Sequence, residues 1–198
     1  MSNHVITISG KTCSGKTFLL NQLLETGLFN KLVTSTTRHP REGEKSGEDY
    51  HFIPSSLAEH YLDKGVFLEY NVYGNNVYGL TKNELTSKLG EGKVPCVILT
   101  PNGVEAYRKF LAEEFGLTTV SIFIDCPQDL LVDRLVARVL KEPVIDEKVL
   151  KVNIDRAISV SLNEQHWRNY LDWDLIVSAK SAGVFDKVIK FTKQFSNT

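Results

Sequence analysis

The chain alternates between short β-branched runs and longer stretches in which apolar residues recur every three or four positions. Val5-Ile6-Thr7-Ile8-Ser9 is the first run, and its composition predicts a strand. Leu19, Leu20, Leu23 and Leu24 follow at helical spacing within residues 16–26, with Gly27 as the expected stop. Downstream the pattern predicts a helix over 81–91, a strand over Val94–Leu99, a helix near 102–114, a strand over Val120–Ile124 and a helix from about 128 to 141. A long helix is expected over roughly 146–170, then a strand at Leu175-Ile176-Val177 and a last helix over 183–194. Strands separated by helices imply right-handed crossovers and a parallel sheet covered on both faces, an α/β architecture.

Residues 34–80 break the alternation. Residues 34–53 are polar and turn-rich, ending in strand-like Tyr50-His51-Phe52-Ile53; residues 66–73 read as a strand, and residues 74–79, GNNVYG, as a turn. This segment is long enough for an inserted lobe, and 139–152 for a second, smaller one.

Composition narrows the classes. The 198 residues fit one domain, and a net charge of −1 argues against a nucleic-acid binder, which carries a basic excess or stripe. No run of about 18 apolar residues suggests a membrane span. The N-terminal residues enter a strand without a secretory pattern, so a cytoplasmic protein is expected. Cys13, Cys96 and Cys126 contain no CxxC and build neither a disulfide framework nor a zinc site.

Candidate chemistry begins directly after the first strand. Gly10-Lys11-Thr12-Cys13-Ser14-Gly15-Lys16-Thr17 holds the triplet Gly-Lys-Thr twice. A phosphate-binding loop needs a glycine five positions before the second glycine. Gly10 meets that need for Gly15, whereas the first triplet would require a glycine at Val5, inside the strand. Lys16 is therefore the expected phosphate lysine and Thr17 the hydroxyl on the magnesium side, with residues 10–17 as the ATP-binding loop. Glycines let backbone N–H groups converge on one anion, and the helix that begins at Lys16 adds its positive end. Lys11 is expected to be solvated.

The segment Thr34-Ser-Thr-Thr-Arg38-His-Pro-Arg41 and onward, TTRHPREGEKSGEDYHF, followed by FLE (67–69) and NVYG (76–79), resembles the guanylate kinase family over most of the chain. Arg38 and Arg41, three apart in a turn-rich loop, can also be read directly as a bidentate phosphate clamp, or as a charged loop neutralised by Glu42, Glu44, Glu48 and Asp49. A carboxylate at Glu69 accepts two hydrogen bonds, which suits the adjacent N1–H and N2–H of guanine. The resemblance implies Thr34, Arg38, Arg41, Tyr50 and Tyr78 around a nucleoside monophosphate, with Glu69 on the base and Gly79, Leu80 and Thr100 beside it. It further implies that Arg134, Arg138 and Arg156 neutralise charge on the transferring phosphoryl group. Arg134 and Arg138 are four apart on one helix face, and ion pairs with Asp133, Glu142 or Asp155 are their alternative reading.

The fold so implied is a P-loop NTPase-type parallel sheet flanked by helices. Its core is 1–33, 81–138 and 157–198, its monophosphate-binding lobe 34–80, and its small lid about 139–156. The expected reaction is ATP plus GMP or dGMP giving ADP and the diphosphate, with Mg²⁺ carried on the nucleotides and Thr17. Nucleotides are the expected partners, with no nucleic acid and no membrane.

Two positions depart from the family pattern. Leu80 stands where the family places a Ser or Thr hydroxyl against guanine O6, and Ile98-Leu99-Thr100 replaces an Asp-x-Asp. A kinase for a different (deoxy)nucleoside monophosphate or a modified nucleotide is therefore the second expectation. A non-catalytic binding module is disfavoured, because Gly10, Gly15, Lys16 and Thr17 are all kept. Cys13 occupies a place where the family often has Gly, which raises the question of oxidation in the loop.

Overall fold

The computed structural model describes residues 3–41, 43–73, 75–140, 147, 151, 154–155, 158, 162 and 164–195, the side chains of 73, 138 and 139 excepted. Most of the expected lid, including Arg156, lies outside the described residues, as does the side chain of Arg138.

The main sheet is parallel, and its five strands run in the order β2 (Phe29–Lys31), β7 (Val94–Ile98), β1 (His4–Gly10), β8 (Thr118–Asp125), β9 (Leu175–Ser178). β1 is central, so side chains on both its faces are covered. That is why Val5, Ile6 and Ile8 read as a continuous apolar run rather than an alternating one. On one face, Ile6 and Ile8 pack with Leu19, Leu20 and Leu23 of α1 (Lys16–Glu25) and Val188 of α6 (Val184–Lys193). On the other, Val5 and Val97 pack with Leu85 of α3 (Lys82–Leu89) and Val104, Tyr107 and Leu111 of α4 (Pro101–Phe115). α5 (Gln128–Val139) follows β8.

Residues 35–81 form a second sheet, ordered β4 (His51–Phe52), β3 (Ser35–Thr36), β6 (Asn76–Thr81), β5 (Phe67–Tyr73). Of the expected turn over 74–79, Asn75 is in a turn and a strand already begins at Asn76. Asn75 takes a left-handed backbone (φ 61°), and from Asn76 the chain returns antiparallel to β5. Val77 and Tyr78 favour a pleated strand over a longer turn. The sequence pattern also missed β2, β3 and the helix α2 (Ser55–Asp63). The described residues from 147 to 162 are helical, but the helix expected to reach 170 has ended by Glu164, where turns and a 3₁₀ segment (Trp167–Asn169) take over. Among the described residues, no helix is long and apolar enough to cross a membrane.

Candidate functional site

The loop between β1 and α1 is held from four directions. A Cβ on Gly10 (φ 150°) would lie 2.7 Å from the Ile124 carbonyl oxygen and 2.7 Å from Ser14 Oγ, so only glycine fits there. Cys13 adopts φ 61° without being glycine, a strained backbone in the middle of the loop. Lys16 Nζ donates back to the carbonyls of Gly10 (2.7 Å) and Lys11 (2.8 Å). Arg134 reaches over from α5 and donates to the carbonyls of Cys13 (3.2 Å) and Ser14 (3.0 Å). The carboxylate of Glu164, itself buried, accepts from both the backbone N–H and the hydroxyl of Thr12, the latter at 2.8 Å.

Glu164 was invisible to sequence reasoning, since its partner lies 152 positions away. An amide there can accept from only one of Thr12's two donors. Glu164→Gln is expected to raise KM for ATP about 3- to 10-fold, the loss of one charge-assisted hydrogen bond, while KM for the acceptor stays within about twofold. Steady-state kinetics in both substrates check this.

One cavity of about 620 Å³ joins this loop to the second sheet. Thr12 to Thr17 line one end, together with Arg134 and Glu164. Thr34, Arg38, Arg41, Tyr50, Tyr78 and Gly79 line the other, with Glu69 and Thr100 beside them. Gly10 and Lys11 are not part of the lining; they contribute carbonyl oxygens to Lys16 instead. Beyond the loop, Phe18, Val177, Ala179, Val184 and Phe185 form an apolar wall that the motifs did not announce.

At the far end Glu44 organises both arginines. Arg38 forms a two-pronged pair with it (2.9 and 3.0 Å), and Arg41 adds its backbone N–H (2.7 Å) and a longer ion pair at 3.7 Å. Burial opposes the charge on Arg38, but its hydrogen bonds and attraction to Glu44 outweigh that and push its pKa above the ordinary value. Burial likewise works against the Glu44 carboxylate, and the bonds from Arg38 and Arg41 hold it below the usual range. The Arg38 guanidinium also sits over the rings of Tyr50 (5.4 Å) and Phe52 (5.6 Å). Both cations of the loop are thus oriented by one carboxylate, Glu44.

The remaining wall differs from expectation. Leu80 does not line the cavity. It is wholly buried with Leu85, Val97, Leu99 and Val104, where the second sheet meets the main one. Its cross-strand partner is Glu69, only 8% exposed and without a hydrogen-bond or ion-pair partner among the described residues. Burial alone raises the Glu69 pKa to about 7. Thr100 does line the cavity, and its hydroxyl caps α4 by accepting from the Gly103 N–H (3.3 Å). The same oxygen accepts from Asn71 Nδ2 at 2.8 Å. Asn71, also in the lining, was missed. Its period-two spacing from Glu69 was the available signal.

No cluster of three potential metal-ligating side chains occurs among the described residues. Asp125 pairs with Arg168 at 3.0 Å. Oxygen-bearing side chains at the loop are those of Thr12, Ser14, Thr17 and Glu164.

The family model for guanylate kinase matches residues 2–190. The chain is 35% identical over 142 residues to a guanylate kinase of Campylobacter jejuni, covering 70% of this chain and 67% of that protein. It is 29% identical over 188 residues to one from Onion yellows phytoplasma, covering 93% and 82%. The crystal structure of guanylate kinase from Anaplasma phagocytophilum superimposes with a TM-score of 0.63 over 99% of this chain and 86% of that one, at 20% identity, a likeness of fold.

Proposed function

The chain belongs to the guanylate kinase family, and from that premise we propose that it transfers the γ-phosphoryl group of ATP to the phosphate of GMP or dGMP. The observation that carries the reading is the single cavity with a phosphate loop at one end and a paired-arginine pocket at the other. Two anionic substrates entering from opposite ends would meet phosphate to phosphate.

Residues 34–80 act as the acceptor lobe and 139–156 as the lid. Thr34, Arg38, Arg41, Tyr50 and Tyr78 receive the monophosphate, which competes with Glu44 for the two guanidinium groups. Lys16 leaves the carbonyls of Gly10 and Lys11 for the β- and γ-phosphates, where the loop amides and the positive end of α1 also act. An acceptor phosphate oxygen bonds to the γ-phosphorus as the bond to the β–γ bridging oxygen breaks, so no covalent enzyme intermediate is needed. Negative charge spreads over the moving group, and Arg134, with Arg138 and Arg156, stabilises it. Thr17 would hold Mg²⁺ together with nucleotide oxygens, and the ion would supply further neutralisation of that charge. The apolar wall of Phe18, Val177, Ala179, Val184 and Phe185 offers the donor base a place to stack. The setting that fits this chemistry is the cytoplasm.

The test is acceptor-dependent ADP formation. ADP should accumulate with ATP and GMP together and stay at background when either is omitted. ADP release that ignores the acceptor would contradict the reading.

A further inference from the structure

Resting on the acceptor assignment above, we infer that Glu84 is a positioning residue for the acceptor pocket: with Lys31 it fixes residues 48–51 against the main sheet and so places the Tyr50 hydroxyl for the monophosphate. The chain enters the second sheet after Val33 and returns through β6 to α3. Glu84 stands in the first turn of α3 and ties both crossings to that sheet. One carboxylate oxygen accepts from the Val33 N–H at 2.9 Å, and the other lies 3.4 Å from Nε2 of His51, in β4. Either the Nε2–H tautomer or the imidazolium puts a hydrogen in that gap. Thr81 and Glu84 have the spacing of a capping box, in which the glutamate turns back on the cap. Thr81 does accept from the Glu84 N–H (3.3 Å), but the carboxylate is directed to Val33 and His51 instead.

Glu84 is carried on a fixed element. Leu85 beside it is wholly buried with Val97 and Val104, and Asn30 of β2 donates to the Lys88 carbonyl (3.0 Å) in the last turn of α3. Also from β2, Lys31 Nζ donates to the carbonyls of Glu48 and, at 3.0 Å, Asp49. Burial lowers the Lys31 pKa against the pull of Asp49, Glu44 and Glu48, so this cation is held there at a cost. Tyr50 is thus gripped on both sides along the chain, by Lys31 just before it and by Glu84 just after. Its ring lies beneath the Arg38 guanidinium and meets Tyr78 edge-on, with centroids 6.0 Å apart. Lys31, Val33, His51 and Glu84 lie outside the cavity lining, whereas Tyr50 is part of it. The clasp acts on the acceptor through the segment that it holds.

The experiment measures kcat, KM for GMP and KM for ATP in wild type, Glu84→Ala, Glu84→Gln and Lys31→Met, each also in a Tyr50→Phe background. Glu84→Ala and Lys31→Met are expected to raise KM for GMP about 5- to 20-fold, with kcat and KM for ATP within about twofold. Glu84→Gln keeps an oxygen for the Val33 N–H and should stay within about threefold of wild type. In the Tyr50→Phe background the same substitutions should add less than about twofold, because the hydroxyl that they misplace is already gone. If Glu84→Ala melts below the assay temperature, Lys31→Met carries the test from the other side of Tyr50. An unchanged KM for GMP, an equal rise in KM for ATP, or the full loss persisting in Tyr50→Phe overturns the clasp while leaving the kinase reading intact. A wild-type protein that does not turn over GMP with ATP overturns the kinase reading and this inference with it.

Discussion

Lys16→Ala is expected to lower kcat/KM for ATP by about 100- to 1,000-fold or more while the protein stays folded. The size of the effect follows from removing a fixed cation at the transferring phosphoryl group, where charge is worth most because water is excluded. Retention of the fold follows from the bonds that Lys16 makes. Its ammonium donates to the Gly10 and Lys11 carbonyls, and those can turn to water once it is gone. α1 begins at this residue, and alanine is a good helix former. The loop keeps its shape through Gly10, the Glu164–Thr12 bonds and the Arg134 bonds to Cys13 and Ser14. A matched circular dichroism melt and initial-rate kinetics check both halves. An active, folded Lys16→Ala protein would contradict the assignment.

Glu69→Gln is expected to make the protein more stable and a worse enzyme. In the folded chain Glu69 titrates near 7 because burial penalises its charge; an unfolded glutamate titrates near 4.5. The folded state therefore binds the extra proton between those values, and stability declines as pH rises from 4.5 through 7. Below 4.5 both states are protonated and no penalty exists. Above 7 the wild type carries a buried charge costing on the order of 3 kcal/mol, which the neutral amide escapes. Glu69→Gln should thus melt higher than wild type at pH 8 and at about the same temperature at pH 4. Catalysis moves the other way. On the proposed assignment of Glu69 to the guanine N–H groups, the base meets an ionised acceptor, and an amide turns one of its two acceptors into a donor. A loss of about 100-fold in kcat/KM for GMP is expected. In the wild type, KM for GMP should rise as pH falls below 7, and in Glu69→Gln that dependence should flatten. A carboxylate kept unpaired at a cost to stability is the signature of a group waiting for a ligand.

Much of the core was legible because its causes are local. Fully covered parallel strands leave unbroken β-branched runs, and helices on the sheet leave leucines at three- and four-residue spacing. The need for glycine at position 10 has a steric reason: a Cβ there would press on the Ile124 carbonyl. The second sheet was harder. β3 and β4 are two residues long, and no periodicity accumulates in so short a span. The facing of Leu80 depends on where the second sheet meets the main one and on an irregularity in the β5–β6 pairing between Phe67 and Glu69, neither of which is written locally. The sequence marked Leu80 as the place where guanine reading fails. The structure seals Leu80 in the core with Leu85, Val97 and Leu99, outside the cavity lining. Glu164 could not be found at all without the fold that carries it back to Thr12.

Direct transfer between two nucleotides held in one cavity can be read by following the terminal phosphorus of ATP. With γ-labelled ATP and GMP, the label should appear in the β-phosphate of GDP, mole for mole with ADP, and none should stay on the protein. Label released as free phosphate, or retained on the polypeptide, would contradict the account.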